Sequence, residues 1–304
     1  MSAANTREPA GTSDTDLDQE VVAVRAQGVE WSYRGGPWRW GHVEALRDCT
    51  FALPAGSVTA LVGANGAGKS TLLALLAGLA PPDAGALAVR GRRAFVAQDK
   101  PLYRHLDALG MCTVAARLNR GWDQARARRW LDGFGVPVDR PCGRLSGGQR
   151  TLVALALAVG AAPDVLLLDE PLAELDPVVR REVTAELLDQ AAEHDMTVVL
   201  STHVVSDLVG VADHLLVLSG GRVLLAGESD DLQAEHRRWT GPAVDTPPVR
   251  GAVIDVSHDG RQSRFLLRHA APDVEAVPEY WSATPLPLEE LVHAYLSRDR
   301  KDPR

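Results

Sequence analysis

Short aliphatic runs alternate with helical patterns along most of the chain. TALV (residues 59–62) leads into a glycine-rich loop, then into LLALLAGL, which reads as a helix stopped by Pro81 and Pro82. DVLLLD (164–169) and TVVLSTH (197–203) read as further strands, with the helix VVRREVTAELLDQAAEH between them. Unbroken aliphatic strands separated by helices predict a parallel sheet covered on both faces.

Around this core the patterns are shorter. VVAV (21–24) and VEWSY (29–33) read as strands, followed by the aromatic, turn-rich RGGPWRWGH. CTFALPAGSVTALVG predicts two strands joined at Pro54, Ala55 and Gly56, and ALAVRGRRAFVAQ supplies short strands. From residue 99 to 144 the character turns helical, most clearly over 117–134, which predicts a helical insert of about 99–160. HLLVLSGGRVLLAGE predicts a hairpin turning at Ser219, Gly220 and Gly221.

Beyond Glu228 the pattern weakens. TGPAVDTPPVRG reads as a linker. GAVIDVSHDGRQSRFLLRH reads as a hairpin turning at Asp259 and Gly260. LEELVHAYLSR (288–298) predicts an amphipathic helix with Leu288, Leu291, Val292 and Leu296 in one apolar stripe.

Composition narrows the class. A chain of 304 residues can bury one large core or two. A net charge of -8 argues against a primary role on nucleic acid. The first 20 residues lack the apolar core of a secretory signal and read as a disordered leader. No apolar run reaches ~18 residues, so work at a membrane would go through a partner. Cys49, Cys112 and Cys142 have neither a pairing pattern nor metal spacing, which predicts reduced thiols and no zinc.

The chemistry concentrates in three places. GANGAGKS (63–70) fits G-x-x-x-x-G-K-[ST] in full and lies between a strand and a helix, the arrangement of a phosphate loop. Glycines let backbone N–H groups approach a polyphosphate, and the helix aims its amino end at the same anion. Lys69 can reach the β- and γ-phosphates, Ser70 can ligate Mg²⁺, and Thr71 can bond phosphate. At the end of VLLLDE, Asp169 can hold Mg²⁺ and Glu170 can polarise a water; alone, this is also an ordinary acidic turn. In LSGGQR, Ser146, Gly147 and Gly148 open another helix, either as a second anion site or as a plain N-cap.

In order, GANGAGKST, Gln98, LSGGQR, VLLLDEP, LDP and STH resemble the ATP-binding-cassette (ABC) ATPases over residues 21–228. The resemblance implies an α/β P-loop NTPase cassette with a mixed or parallel sheet core, an antiparallel β subdomain and a helical insert. Residues 229–304 would add a small α+β extension. ATP and Mg²⁺ are implied, with Gly63, Asn65, Gly66, Gly68, Lys69, Ser70 and Thr71 on the nucleotide. Tyr33 matches the aromatic that stacks on adenine, with Trp31 as competitor and plain strand packing as the alternative for both. Gln98 matches the glutamine that meets Mg²⁺, beside Ser70 and Asp169, and the attacking water. Lys69, Gln98, Glu170 and His203 form the implied catalytic set. Asp176 matches the aspartate of the loop linking two active sites. Where Glu174 stands, the family more often has a small residue, which leaves the role of that carboxylate open.

The resemblance also implies partners. Two cassettes, identical or different, would pack head to tail. Each ATP would lie between residues 63–71 of one and Ser146, Gly147, Gly148 and Gln149 of the other. The insert, from Leu102 to Asn119, would pass motion to a separate membrane permease. The expected location is cytoplasmic, on the inner face of the membrane. The segment ending PLPLEELVHAYLSR resembles the tail of ATPase subunits of bacterial two-component exporters, which makes export the expected direction; packing back on its own domain is the alternative. A soluble ABC ATPase acting on nucleic acid or ribosomes is the rival function.

Overall fold

The structure, a computed structural model, describes residues 21–34, 42–204, 210–269 and 279–301. The expected leader at 1–20, and Trp38 and Trp40, lie outside the described residues. In chain order the elements begin β1 (Val22–Arg34), β2 (His42–Pro54), β3 (Val58–Val62), α1 (Lys69–Leu76), β4 (Ala84–Val89) and β5 (Arg93–Val96). The insert supplies α2 (Ala108–Leu118), α3 (Gln124–Gly133) and α4 (Gly147–Gly160). Then come β6 (Val165–Leu168), α5 (Pro177–Glu193), β7 (Thr197–Thr202), β8 (His214–Ser219) and β9 (Arg222–Glu228). The rest is α6 (Ser229–Glu235), β10 (His236–Pro242), β11 (Ala252–Asp259), β12 (Gln262–Arg268), β13 (Ser282–Pro285) and α7 (Leu288–Lys301).

The central sheet has the order β5-β6-β7-β3-β8-β9, parallel except for the antiparallel β8–β9 hairpin. Every residue of β3, β6 and β7 is buried, as their unbroken aliphatic runs predict. A second, antiparallel sheet, β2-β1-β4, packs Leu46 and Leu53 against Leu72, Leu73 and Leu76 of α1 in one core. A third antiparallel sheet has the order β11-β12-β10-β13. The expected mixed core, antiparallel β layer and helical insert are all present.

Three local expectations change. The two runs expected at 21–24 and 29–33 form the single strand β1, whose register slips between Ala26 and Val29 and again at Trp31. These irregularities carry the polar stretch across without ending the pairing. The helical stretch expected over 117–134 is broken: Asn119 turns extended, and Asp123 caps α3 by accepting the N–H of Arg126. The expected linker is partly sheet, because Thr240, Gly241 and Pro242 belong to β10 and pair with β12.

The stripe of α7 packs on its own chain. Leu288, Leu291 and Val292 are buried in one core with Leu215 and Val217 of β8, Leu225 of β9 and Leu232 of α6, and Leu296 lies half-buried against it. His236 ties the same helix down from within, bonded to Leu232 O and to the Tyr295 hydroxyl.

Candidate functional site

The loop between β3 and α1 is shaped by glycines. Gly66 and Gly68 adopt left-handed backbone, with φ of +80° and +104°. A Cβ at Gly68 would meet the Ala45 carbonyl at 2.5 Å, and one at Gly63 would overlap the Leu218 carbonyl. The loop therefore lies tight against β2 and β8, which only glycine permits. Lys69 is turned inward, 5% exposed; its Nζ donates to Gly63 O at 2.8 Å and to Ala64 O at 3.3 Å.

At the carboxyl ends of the neighbouring strands the acidic pair is fixed by a serine. Ser201 Oγ donates to Asp169 Oδ1 at 2.7 Å and accepts the Glu170 N–H at 2.9 Å. Glu170 takes left-handed backbone, φ +47°, which turns its side chain toward the loop. Its carboxylate lies 3.6 Å from Lys69 Nζ and 3.2 Å from His203 Nδ1. Lys69, Glu170 and His203, far apart in the chain, thus meet at one point. Asp169 is buried beside them.

A cleft of about 470 Å³ opens over this point, lined by Tyr33, Val43, Asn65, Gly66, Gly68, Lys69, Ser70, Thr71, Gln98 and Glu170. Tyr33 is 54% exposed, and its hydroxyl lies 3.0 Å from Thr71 Oγ1. Trp31 instead packs half-buried against the core, edge-on to Tyr33 with ring centroids 6.2 Å apart. Of the two candidate aromatics, Tyr33 is the one on the cleft.

The other predicted residues stand apart. Ser146 caps α4 in a reciprocal box, Ser146 Oγ accepting the Gln149 N–H and Gln149 Oε1 accepting the Ser146 N–H. Asp176 caps α5, accepting the N–H groups of Val178 and Val179. Neither Ser146, Gly147, Gly148 and Gln149 nor Asp176 lines the cleft.

Sequence reasoning missed Ser201 and Val43. Ser201 sits in the STH motif one turn of the pleat before His203. Val43 is the cross-strand partner of Tyr33 and is 61% exposed, an apolar side chain on the cleft wall.

Residues 46–173 match the family described as ABC transporter. Over 276 residues the chain is 38% identical to the aliphatic sulfonates import ATP-binding protein SsuB 2 of Pseudomonas aeruginosa, spanning 86% of this chain and 92% of that one. This chain belongs to the ABC transporter ATPases. As an ABC ATPase it binds ATP and hydrolyses it to ADP and phosphate, an activity coupled to transport. It is 34% identical over 258 residues to the sulfate/thiosulfate import ATP-binding protein CysA of Nephroselmis olivacea, covering 79% of this chain and 73% of that one. Among solved structures, this ABC ATPase resembles an ATP-binding subunit of an ABC transporter at 26% identity and TM-score 0.60, over 69% and 92% of the two chains. It also resembles cbiO1 of Clostridium perfringens, part of the cbiONQ complex, at 27% identity and TM-score 0.57, over 71% and 92%. The expected family, fold and ATPase activity are borne out. No helix among the described residues of the ABC ATPase is long and apolar enough to cross a membrane.

Proposed function

We propose that this ABC ATPase pairs head to tail with a second cassette over two ATP molecules and uses their hydrolysis to drive a separate membrane permease. The observation that carries the reading is the separation on one chain of two glycine-rich helix amino ends, each of the kind that favours an anion. The phosphate loop opens α1 inside the cleft, whereas Ser146, Gly147 and Gly148 open α4 outside it. A single chain offers a triphosphate only the first; a second chain brings the other.

Within one site the roles follow from the contacts. Tyr33 and Val43 form a wall for adenine. The N–H groups of the loop, with Asn65, Gly66 and Gly68, cradle the phosphates, and Thr71 bonds them from the first turn of α1. Lys69 exchanges its loop carbonyls for phosphate oxygens. Ser70 and Gln98 on the cleft, with Asp169 buried beside Glu170, offer oxygen donors of the kind a hard cation prefers, and these would hold Mg²⁺. Bound there, Mg²⁺ would offset the phosphate charge. Glu170, aimed by Ser201 and flanked by Lys69 and His203, orients the attacking water. Lys69 and His203 stabilise the charge that develops on the transferring phosphoryl group. From the partner, Ser146, Gly147, Gly148 and Gln149 complete the pocket, and Asp176 lies at the seam.

The permease would dock beside the Gln98 loop. A groove of about 340 Å³ on the insert is lined by Phe95, Val96, Leu102, Met111, Ala115 and Leu157 among others, next to the Gln98 loop. An apolar segment of a membrane partner fits that lining, and such a partner would hold the ATPase at the inner face of the membrane. We take residues 21–228 as the ATPase domain and 229–304 as an extension. Cargo and direction belong to the permease; the import names of the relatives lend the expected export no support.

The test is the Glu170→Gln variant with Mg-ATP. Turnover should fall ~10²-fold or more, and light scattering after size exclusion should give twice the monomer mass. A variant that stays monomeric at saturating ATP, alone and with a second cassette protein, sinks the reading.

A further inference from the structure

Glu174 touches two loops besides its own. Its Oε1 lies 3.2 Å from the ammonium of Lys100, whose side chain is only 3% exposed, while that of Glu174 is 44% exposed. Its Oε2 packs directly on Gly147, where an added methyl group would overlap it. Lys100 follows Gln98 by two residues and takes left-handed backbone, φ +46°. Gly147 is the first residue of α4 after its Ser146 cap. Glu174 itself precedes Asp176 by two. One carboxylate therefore joins the Gln98 loop, the amino end of α4 and the Asp176 loop.

The amino end of a helix attracts anions through its free N–H groups and dipole. In this chain a carboxylate of the chain itself packs beside Gly147, the first residue of that end, and a buried lysine from another loop holds it there. The second anion would be the triphosphate bound by a partner, with several negative charges. Two anions beside Gly147 would repel each other.

We propose that Glu174 holds a negative charge beside the amino end of α4, so that a partner's triphosphate must displace it before two cassettes close. This rests on the reading that ATP is shared between two chains. Lys100 is what keeps the carboxylate there, since its buried ammonium lies 3.2 Å away.

The test uses the full chain carrying Glu170→Gln, titrated with Mg-ATP, with the dimer fraction read by sedimentation velocity. Adding Glu174→Gln removes the charge and keeps the shape. The ATP concentration at half-dimerisation should fall by roughly fivefold, the low end of the coupling between linked sites. ATP affinity measured on dilute monomer should not change, since Glu174 does not line the cleft. Lys100→Met with Glu174→Gln removes both charges, guards against a buried lysine left unpaired, and should shift the midpoint the same way. Damage to the fold would raise the midpoint, not lower it. If the Glu170→Gln parent dimerises and both variants need as much ATP or more, the role assigned to Glu174 is wrong. If the parent never dimerises, the shared-ATP reading fails and takes this role with it.

Discussion

The ammonium of Lys69 lies 3.6 Å from the carboxylate of Glu170. The phosphate-loop cation thus lies beside the carboxylate proposed to orient water. Replacing Lys69 with Ala removes charge-assisted hydrogen bonds to phosphate of about 1.5–3 kcal/mol each. ATP binding by dilute monomer should weaken by roughly 10–100-fold, read by titration calorimetry. Unchanged affinity would mean that Lys69 stays with its loop carbonyls and Glu170 when nucleotide is bound.

Ser201 is the support beneath the acidic pair. Ser201→Ala strips one hydrogen bond from Asp169 and one from the Glu170 N–H, both in buried or half-buried surroundings. Each group left unpaired costs about 1–3 kcal/mol. The melting temperature should drop, and kcat should fall more than KM rises, because the aim of Glu170 is lost rather than the phosphate cradle. Steady-state kinetics beside a thermal melt checks both.

His236 gives the packing of α7 a pH dependence. Leu232 O can only accept, so Nδ1 of the neutral ring donates to it, at 2.6 Å, and Nε2 accepts from the Tyr295 hydroxyl, at 2.9 Å. Burial holds the imidazole pKa below its ordinary 6.5, with Arg268 and His269 adding repulsion and Leu232 O and Glu235 opposing. The unfolded chain therefore takes up this proton first. The stability contribution is whole above about pH 6.5 and is lost as the pH falls from there to the folded value. Melting curves from pH 7.5 down to 5.5 should fall more steeply for the wild type than for His236→Gln. Parallel curves would remove His236 as the cause.

The cysteines should be inert in the folded chain. Cys49, Cys112 and Cys142 are all buried. Burial raises each thiol pKa, that of Cys112 to about 11, so little thiolate forms at neutral pH. Ellman's reagent at pH 8 should label none of the three quickly in buffer and all three in guanidinium chloride. Fast labelling of the native chain would show that one of these sites opens readily.

Leu291 measures how much α7 contributes to the cassette. It is fully buried among residues of β8, β9 and α6. Leu291→Ala should destabilise the chain by about 2–5 kcal/mol, lowering the denaturant midpoint of one cooperative transition. A separate early transition, with the ATPase unaffected, would mean that the C-terminal elements fold apart from the rest.

Much of this molecule is written locally. The phosphate loop lies in eight contiguous residues, because a turn that presents N–H groups to an anion needs glycines at fixed spacing. The buried strands β3, β6 and β7 declare themselves as unbroken aliphatic runs, since both faces of each are covered. The order of the motifs named the family, and with it the ATP substrate. Boundaries are less legible where long-range pairing overrides local pattern. Thr240, Gly241 and Pro242 look like linker, yet they are strand because β12 and β13 lie beside them.

What the tertiary structure alone decided are contacts between segments remote in sequence. It placed Tyr33 rather than Trp31 on the cleft, because Tyr33, nearer the end of β1, reaches Thr71 with its hydroxyl while Trp31 packs back on the core. It put Ser201 under both acidic residues, folded α7 onto β8 and β9, and brought Lys100, Glu174 and Gly147 together. No local rule of propensity or spacing encodes such meetings; they follow from how the layers pack, and packing is a property of the whole chain.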